Sequence, residues 1–248
     1  MKQTNSPEIL VVGGCHVLGY PLGPSQGFPD QLASLLSEST SFASIGHLKL
    51  SHGRKVLDTV NRLRPEVLIL QVGHFELTNG GSSYSTKKLS LERSSKSTHY
   101  PPKSRFQTRT GRFKWHLRCA IKALANIVLT RWKVDLLQLE AEFTSFLYEV
   151  AQCDCSRIII LSPLPCADPI FHHLRRQAGS CFKSVAAHYP EVEYLDVLKD
   201  PYLTQAGLEP FFDGTHLNAE GHLRLAHLLA NQITTPFRAA TIRERTLQ

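Results

Sequence analysis

The sequence lacks the features that would place it in several large classes. No stretch approaches the roughly 18 uninterrupted apolar residues of a membrane span, so no transmembrane helix is expected. Residues Met1 to Glu8 have none of the basic start, apolar middle and small-residue cleavage site of a signal peptide. A cytoplasmic protein is the expectation. The six cysteines, Cys15, Cys119, Cys153, Cys155, Cys166 and Cys181, are scattered and form no CxxC pair. That excludes a disulfide framework and a zinc ribbon, and structural thiols are the reading for five of the six. Cys153-Asp154-Cys155 is a close pair, but two such thiols do not complete a tetrahedral metal site. No metal and no cofactor is expected.

Acidic residues are nearly missing from one segment. Between Thr78 and Lys133 there are 13 Lys/Arg and a single acid, Glu92, giving +12. The whole chain carries +7, so the remainder is net acidic at −5. Basicity therefore belongs to one segment and not to the fold as a whole.

What is present suits a globular α/β protein: 248 residues, 42% of them hydrophobic, form one domain with a substantial core. Glu8 to Gly13, Phe42 to Leu50, Glu66 to Gly73, Arg157 to Leu161 and Val192 to Val197 read as strands, three of them short apolar runs closed by glycine or proline. Phe28–Leu36, Arg54–Leu63, Phe113–Trp132, Leu136–Val150, Pro169–His188 and Leu217–Ile233 have helical spacing. The alternation predicts a flavodoxin-like three-layer α/β/α arrangement on a five-stranded parallel sheet. Residues 78–110, rich in Ser, Thr, Lys and Arg, read as an insertion, and 234–248 as a tail. In such sheets the site lies beyond the C-terminal strand ends. That places Cys15-His16, Gly46 and His74-Phe75-Glu76 along one edge, and the segment around Asp213 can fold back over it.

Asp213-Gly214-Thr215-His216, followed by Leu217-Asn218-Ala219-Glu220-Gly221 and an apolar helix, supplies a general base and a carboxylate to fix its tautomer. With this block, Gly13-Gly14-Cys15 after strand one, Gly46 after strand two and Gly73-His74-Phe75-Glu76 after strand three, the chain resembles the SGNH/GDSL hydrolases from Ile9 to Ile233, apart from the basic insertion. The resemblance implies an ester hydrolase in which His216 and Asp213 complete a triad and Cys15 stands where the family has its nucleophilic serine. It implies an oxyanion hole built from backbone N–H groups of Cys15 and Gly46. Phe75 occupies the place of the family's asparagine, a side-chain donor it cannot replace. His74 or His16 is then a candidate substitute, although His16 also reads as a solvent-facing loop residue.

A thiol in place of a hydroxyl keeps a nucleophile, because a neighbouring histidine favours the thiolate. The expected substrate is an acyl or acetyl ester of a carbohydrate or lipid-like molecule. A silent fold that binds a ligand or partner, and a thioester-forming acyltransferase, are the alternatives. The basic insertion, with Tyr84, Tyr100, Phe106, Phe113 and Trp115 among its charges, reads as a solvated loop or as a surface for an anionic partner: nucleic acid, lipid or polyanionic substrate.

Overall fold

The computed structural model describes residues 7–23, 26–37, 40–73, 76–77, 106, 108–129 and 135–235, without the side chains of 126–129. The elements run β1 (Ile9–Val12), α1 (Phe28–Leu36), β2 (Phe42–Ile45), α2 (Gly53–Leu63), β3 (Val67–Gln71), α3 (Arg109–Leu129), α4 (Leu136–Val150), β4 (Arg157–Leu161), α5 (Pro169–Ala186), β5 (Val192–Leu195), α6 (Pro201–Gln205) and α7 (Ala219–Thr234). The strands form one sheet in the order β2-β1-β3-β4-β5, every neighbouring pair parallel. This is the expected flavodoxin-like architecture. Most of the basic insertion and residues 236–248 lie outside the described residues.

The apolar runs read as strands are buried on both faces, which explains why they do not alternate with polar residues. Strand periodicity sends Leu10, Val12, Leu68, Leu70, Ile158 and Ile160 to one side, where they pack on α2, α4 and α5. Ile9, Val11, Ile69, Ile159 and Leu161 face the other way, toward α1 and α7. Several helix starts are set by side-chain caps. Asp135 accepts from the N–H groups of Leu137 and Gln138, Asp168 from those of Ile170 and Phe171, and Asn218 from that of Gly221.

Several boundaries differ from the sequence reading. β2 stops at Ile45, not Leu50, because His47 turns the chain with a left-handed φ of 65°. A 3-10 turn at Leu50–His52 then leads into α2. α3 begins at Arg109 and not at Phe113, and is described to Leu129; the expected end at Trp132 lies outside the described residues. α7 begins at Ala219 and not Leu217, since Leu217 is still extended and bridges Phe211. The short helix α6 has no counterpart in that reading; Pro201 at its first turn and the Asp200 cap make it.

Arg157 at the start of β4 ties the sheet to the end of α7. Its guanidinium pairs with Glu193 of β5 through Nε and through Nη2 (2.7 Å), and it donates to the carbonyls of Gln232 (2.7 Å) and Ile233 (2.6 Å). Both charged side chains are about nine-tenths buried. Arg157→Ala leaves Glu193 without its counter-charge and uncaps α7, so urea titration should show a loss of about 3–5 kcal/mol, the usual cost of breaking one half of a buried pair. A loss below about 1 kcal/mol would mean that water screens the pair as it does on a surface.

Candidate active site

β1 delivers the chain to the sheet edge, and the Gly14–Tyr20 turn holds it there. Val17 N–H donates to Gly14 O, Leu18 and Tyr20 N–H both donate to Cys15 O, and Gly19 ends the coil with φ 73°. Gly13 has no room for a side chain: a Cβ would sit 2.5 Å from Val17 Cγ2 and 2.7 Å from Gln71 Cβ. The Gly14 N–H donates to Gln71 Oε1 at 2.7 Å inside the protein. A side chain of the adjacent strand thus fixes the residue before Cys15, whose thiol is left half-buried.

The second half is built at the other end of the sequence. Phe211 and Leu217 bridge, and Phe212 N–H donates to His216 O at 2.8 Å, closing a loop around Asp213. Asp213 Oδ1 accepts from the N–H groups of Thr215 and His216, each at 2.8 Å. His216 Nδ1 lies 3.0 Å from both carboxylate oxygens. The proton therefore sits on Nδ1, and the ring also hydrogen-bonds the Cys15 thiol. The Asp213–His216 segment does fold back onto the β1 edge, joining three of the expected residues.

The electrostatics follow from this geometry. Burial opposes charge on His216, but the hydrogen bonds with Asp213 and Cys15, and the charges of both, raise its pKa to about 9. Burial likewise works against the Asp213 carboxylate. The hydrogen bond and charge of His216, with the N–H groups of Thr215 and His216, outweigh it and hold the carboxyl below its usual range.

His16 corrects the sequence reading. It is fully buried, not solvent-facing. Its Nε2 accepts the Leu217 N–H at 3.3 Å, so this nitrogen is committed to the backbone and not offered to a substrate oxyanion. It joins the turn carrying Cys15 to the loop carrying His216. The His216 ring is flanked by Tyr20, edge-on at 4.8 Å, and by His16 at 5.4 Å. Beyond His16, at 5.6 Å, stands His222. Its Nδ1 accepts the Phe28 N–H at 3.0 Å, and its Nε2 finds no hydrogen-bond partner among the described residues. Burial and the charge of His216 push its pKa down to about 3, so it stays neutral.

Gly46 lies against the same turn: a Cβ there would meet Leu18 Cδ1 at 2.5 Å. His74 and Phe75 lie outside the described residues. Glu76 is half-buried, and desolvation of its carboxyl raises its pKa despite the N–H of Leu50 donating to Oε1 at 2.7 Å. It thereby fastens the loop after β3 to the loop after β2. On the far side, the Trp115 ring of α3 occupies the space where Gly214 lacks a Cβ. Lys122 of α3 pairs with Asp168 at 2.5 Å and lies over the Phe171 ring, and Asp168 N–H donates to Gly214 O. Gln71 and Trp115 are supporting residues that sequence reasoning did not place at the site, and His16 supports it in another role than the expected oxyanion donor. Of the first two only Gln71, a polar residue ending an otherwise apolar strand, left a signal.

No protein-family model matches the chain, and no curated protein matches it by sequence. Solved structures do. A member of the lipolytic G-D-S-L family from Veillonella parvula aligns with a TM-score of 0.59 and 12% identity, over 92% of this chain and 98% of its own. A lipase/acylhydrolase from Enterococcus faecalis aligns at 0.54 and 14%, over 92% and 95%. An acetylxylan esterase from Geobacillus stearothermophilus, solved as a catalytic mutant, aligns at 0.54 and 14%, over 94% and 97%. Its catalytic mutants replace a serine, an aspartate and a histidine.

The Asp213–His216 pair has a pH signature. Because the His216 pKa is raised from 6.5 to about 9, its stabilising effect is complete below pH 6.5 and is lost as pH rises through about 9. The melting temperature of His216→Gln should fall furthest below wild type near pH 6 and approach it near pH 10. A gap independent of pH would show that the ring is held by packing and not by charge.

Proposed function

We propose that this chain, which has the fold of the SGNH/GDSL hydrolases, is an ester hydrolase in which Cys15 is the nucleophile, His216 the acid and base, and Asp213 its orienting partner. The observation that carries this reading is the His216 ring, held by Asp213 through Nδ1 and hydrogen-bonded to the thiol of Cys15. That the catalytic mutants of the acetylxylan esterase replace a serine, an aspartate and a histidine supports it. The substrate class is an acyl or acetyl ester of a carbohydrate or lipid-like alcohol.

The Cys15 thiolate attacks the ester carbonyl carbon and the C=O electrons move to oxygen. In this reading the backbone N–H groups of Cys15 and Gly46 are the donors to that oxyanion. Collapse expels the alkoxide, which takes the proton from His216 Nε2 and leaves as the alcohol, and Cys15 carries the acyl group as a thioester. His216, now neutral, removes a proton from water. The hydroxide attacks the thioester, the C–S bond breaks, and the carboxylic acid departs with the thiolate–imidazolium pair restored. Phe75 in place of a side-chain donor lowers the ceiling on the rate by roughly 100- to 1000-fold, the usual cost of one missing oxyanion donor.

A histidine with a pKa of about 9 suits this chemistry, since the starting state already needs its proton. Hydrolysis of short-chain nitrophenyl esters should therefore decline as pH rises through about 9. Cys15→Ala and His216→Ala should abolish it, and Cys15→Ser should move the optimum upward, because a hydroxyl needs the neutral imidazole as base. Iodoacetamide should label Cys15 faster than a free thiol, and His216→Ala should slow that labelling. Ordinary labelling with no turnover would leave a fold that only binds its ligand, and turnover unchanged in both alanine variants would overturn the assignment of these residues.

A further inference from the structure

Helix α3 is apolar on two opposite faces. At 100° per residue, Trp115, Cys119 and Lys122 turn toward the body of the protein, and the structure has them partly or fully buried. Phe113, Leu117, Ile121 and Leu124 fall within an arc of about 80° on the far side. They are 68%, 52%, 61% and 64% exposed. Four large apolar side chains in one solvent-facing stripe are not explained by packing against the described residues, unlike single exposed leucines elsewhere. The stripe is flanked by exposed Lys114 and Arg118 on one side and by exposed Arg109 and His116 on the other. The helix carries five Lys/Arg and no acid.

We propose that α3 is a docking face for an anionic lipid bilayer, lying in the plane of the membrane with Phe113, Leu117, Ile121 and Leu124 sunk among the acyl chains and Arg109, Lys114 and Arg118 at the headgroups. An apolar stripe bordered by cations is the pattern of an interfacial helix. No helix among the described residues is long and apolar enough to cross a membrane, so the contact is with the surface. Charge decides among the other occupants. A second copy of α3 would bring the same cations face to face. The chain's own segment 78–105 carries six Lys/Arg against Glu92 and has the same sign. Nucleic acid would match the charge, but Leu117, Ile121 and Leu124 offer no ring on which a base can stack.

The opposite face of the helix meets the site directly, because Trp115 packs on Gly214 between Asp213 and His216. Docking would hold the site loop about one helix diameter, roughly 10–12 Å, from the lipid surface. The surface does not depend on the catalytic reading, and binding is measured without turnover.

The test is sedimentation of the full chain with vesicles of phosphatidylcholine alone and of phosphatidylcholine mixed equally with phosphatidylglycerol. Binding should be at least about tenfold tighter to the anionic vesicles and weaken with salt. Leu117→Ser with Ile121→Ser changes only exposed positions and keeps every cation. It should melt like wild type yet lose most of the vesicle binding, as should Lys114→Glu with Arg118→Glu. The proposal is overturned if the serine pair binds vesicles as wild type does, which would assign binding to bulk charge. It is also overturned if the serine pair instead dissolves a dimer seen by ultracentrifugation, or if wild type prefers a single-stranded oligonucleotide that displaces it from vesicles.

Discussion

The carboxylate of Asp213 organises the site. One oxygen gathers the N–H groups of Thr215 and His216, so the loop from Phe212 to His216 has a single shape. The same group takes the His216 ring N–H, so the loop's shape and the ring's direction cannot vary independently. Gly214 is the residue this closure leaves uncovered, and there Trp115 brings α3 down onto the loop. Asp168 N–H completes the frame from the start of α5 by donating to Gly214 O. Charge on Asp213 is thus tied to backbone geometry, and the negative end of the site is fixed before any substrate arrives.

The column of His216, His16 and His222 shows how one imidazole can carry charge inside a row of three. His16 accepts a backbone N–H through Nε2, which requires that nitrogen to be unprotonated. His222 accepts the Phe28 N–H through Nδ1 in the same way, and burial holds it neutral. Each neutral ring also splices distant parts of the chain: His16 joins the β1 turn to the start of the α7 segment, and His222 joins α7 to α1. The backbone donors that use these lone pairs therefore do two things. They lock the halves of the site together, and they keep positive charge on His216 alone, beside its carboxylate.

The sheet and the Asp213–His216 pair were legible in the sequence because both rest on local patterns. An apolar run closed by glycine forms a strand whatever surrounds it, and an Asp with a His three residues on closes its own turn. The elements that escaped notice depend on contacts across the chain. Nothing near His16 announces that Leu217, some 200 residues later, donates to it. Gln71 is a conspicuous polar residue in a buried strand, but its partner, the Gly14 N–H, is a backbone group without sequence identity. The early end of β2 follows from the left-handed His47, a conformation more often taken by glycine or asparagine. The basic segment was legible only as charge. Its helix starts at Arg109, four residues before the apolar spacing that begins at Phe113.

The proposed nucleophilic thiol of Cys15 and the raised pKa of His216 form one argument. A hydroxyl nucleophile needs its histidine neutral. With a pKa of about 9, only about one ring in a hundred is neutral at pH 7. The proposed thiol reaction reverses that requirement, because attack starts from the thiolate and the first proton transfer comes from the imidazolium. Cys15 itself contributes to the raised value through its hydrogen bond and charge, so in the proposed reaction the nucleophile helps create the protonation state that it uses. Burial of the ring works in the other direction. The balance therefore rests on the two partners His216 touches, Asp213 on one nitrogen and Cys15 on the other, and replacing either changes what the other must do.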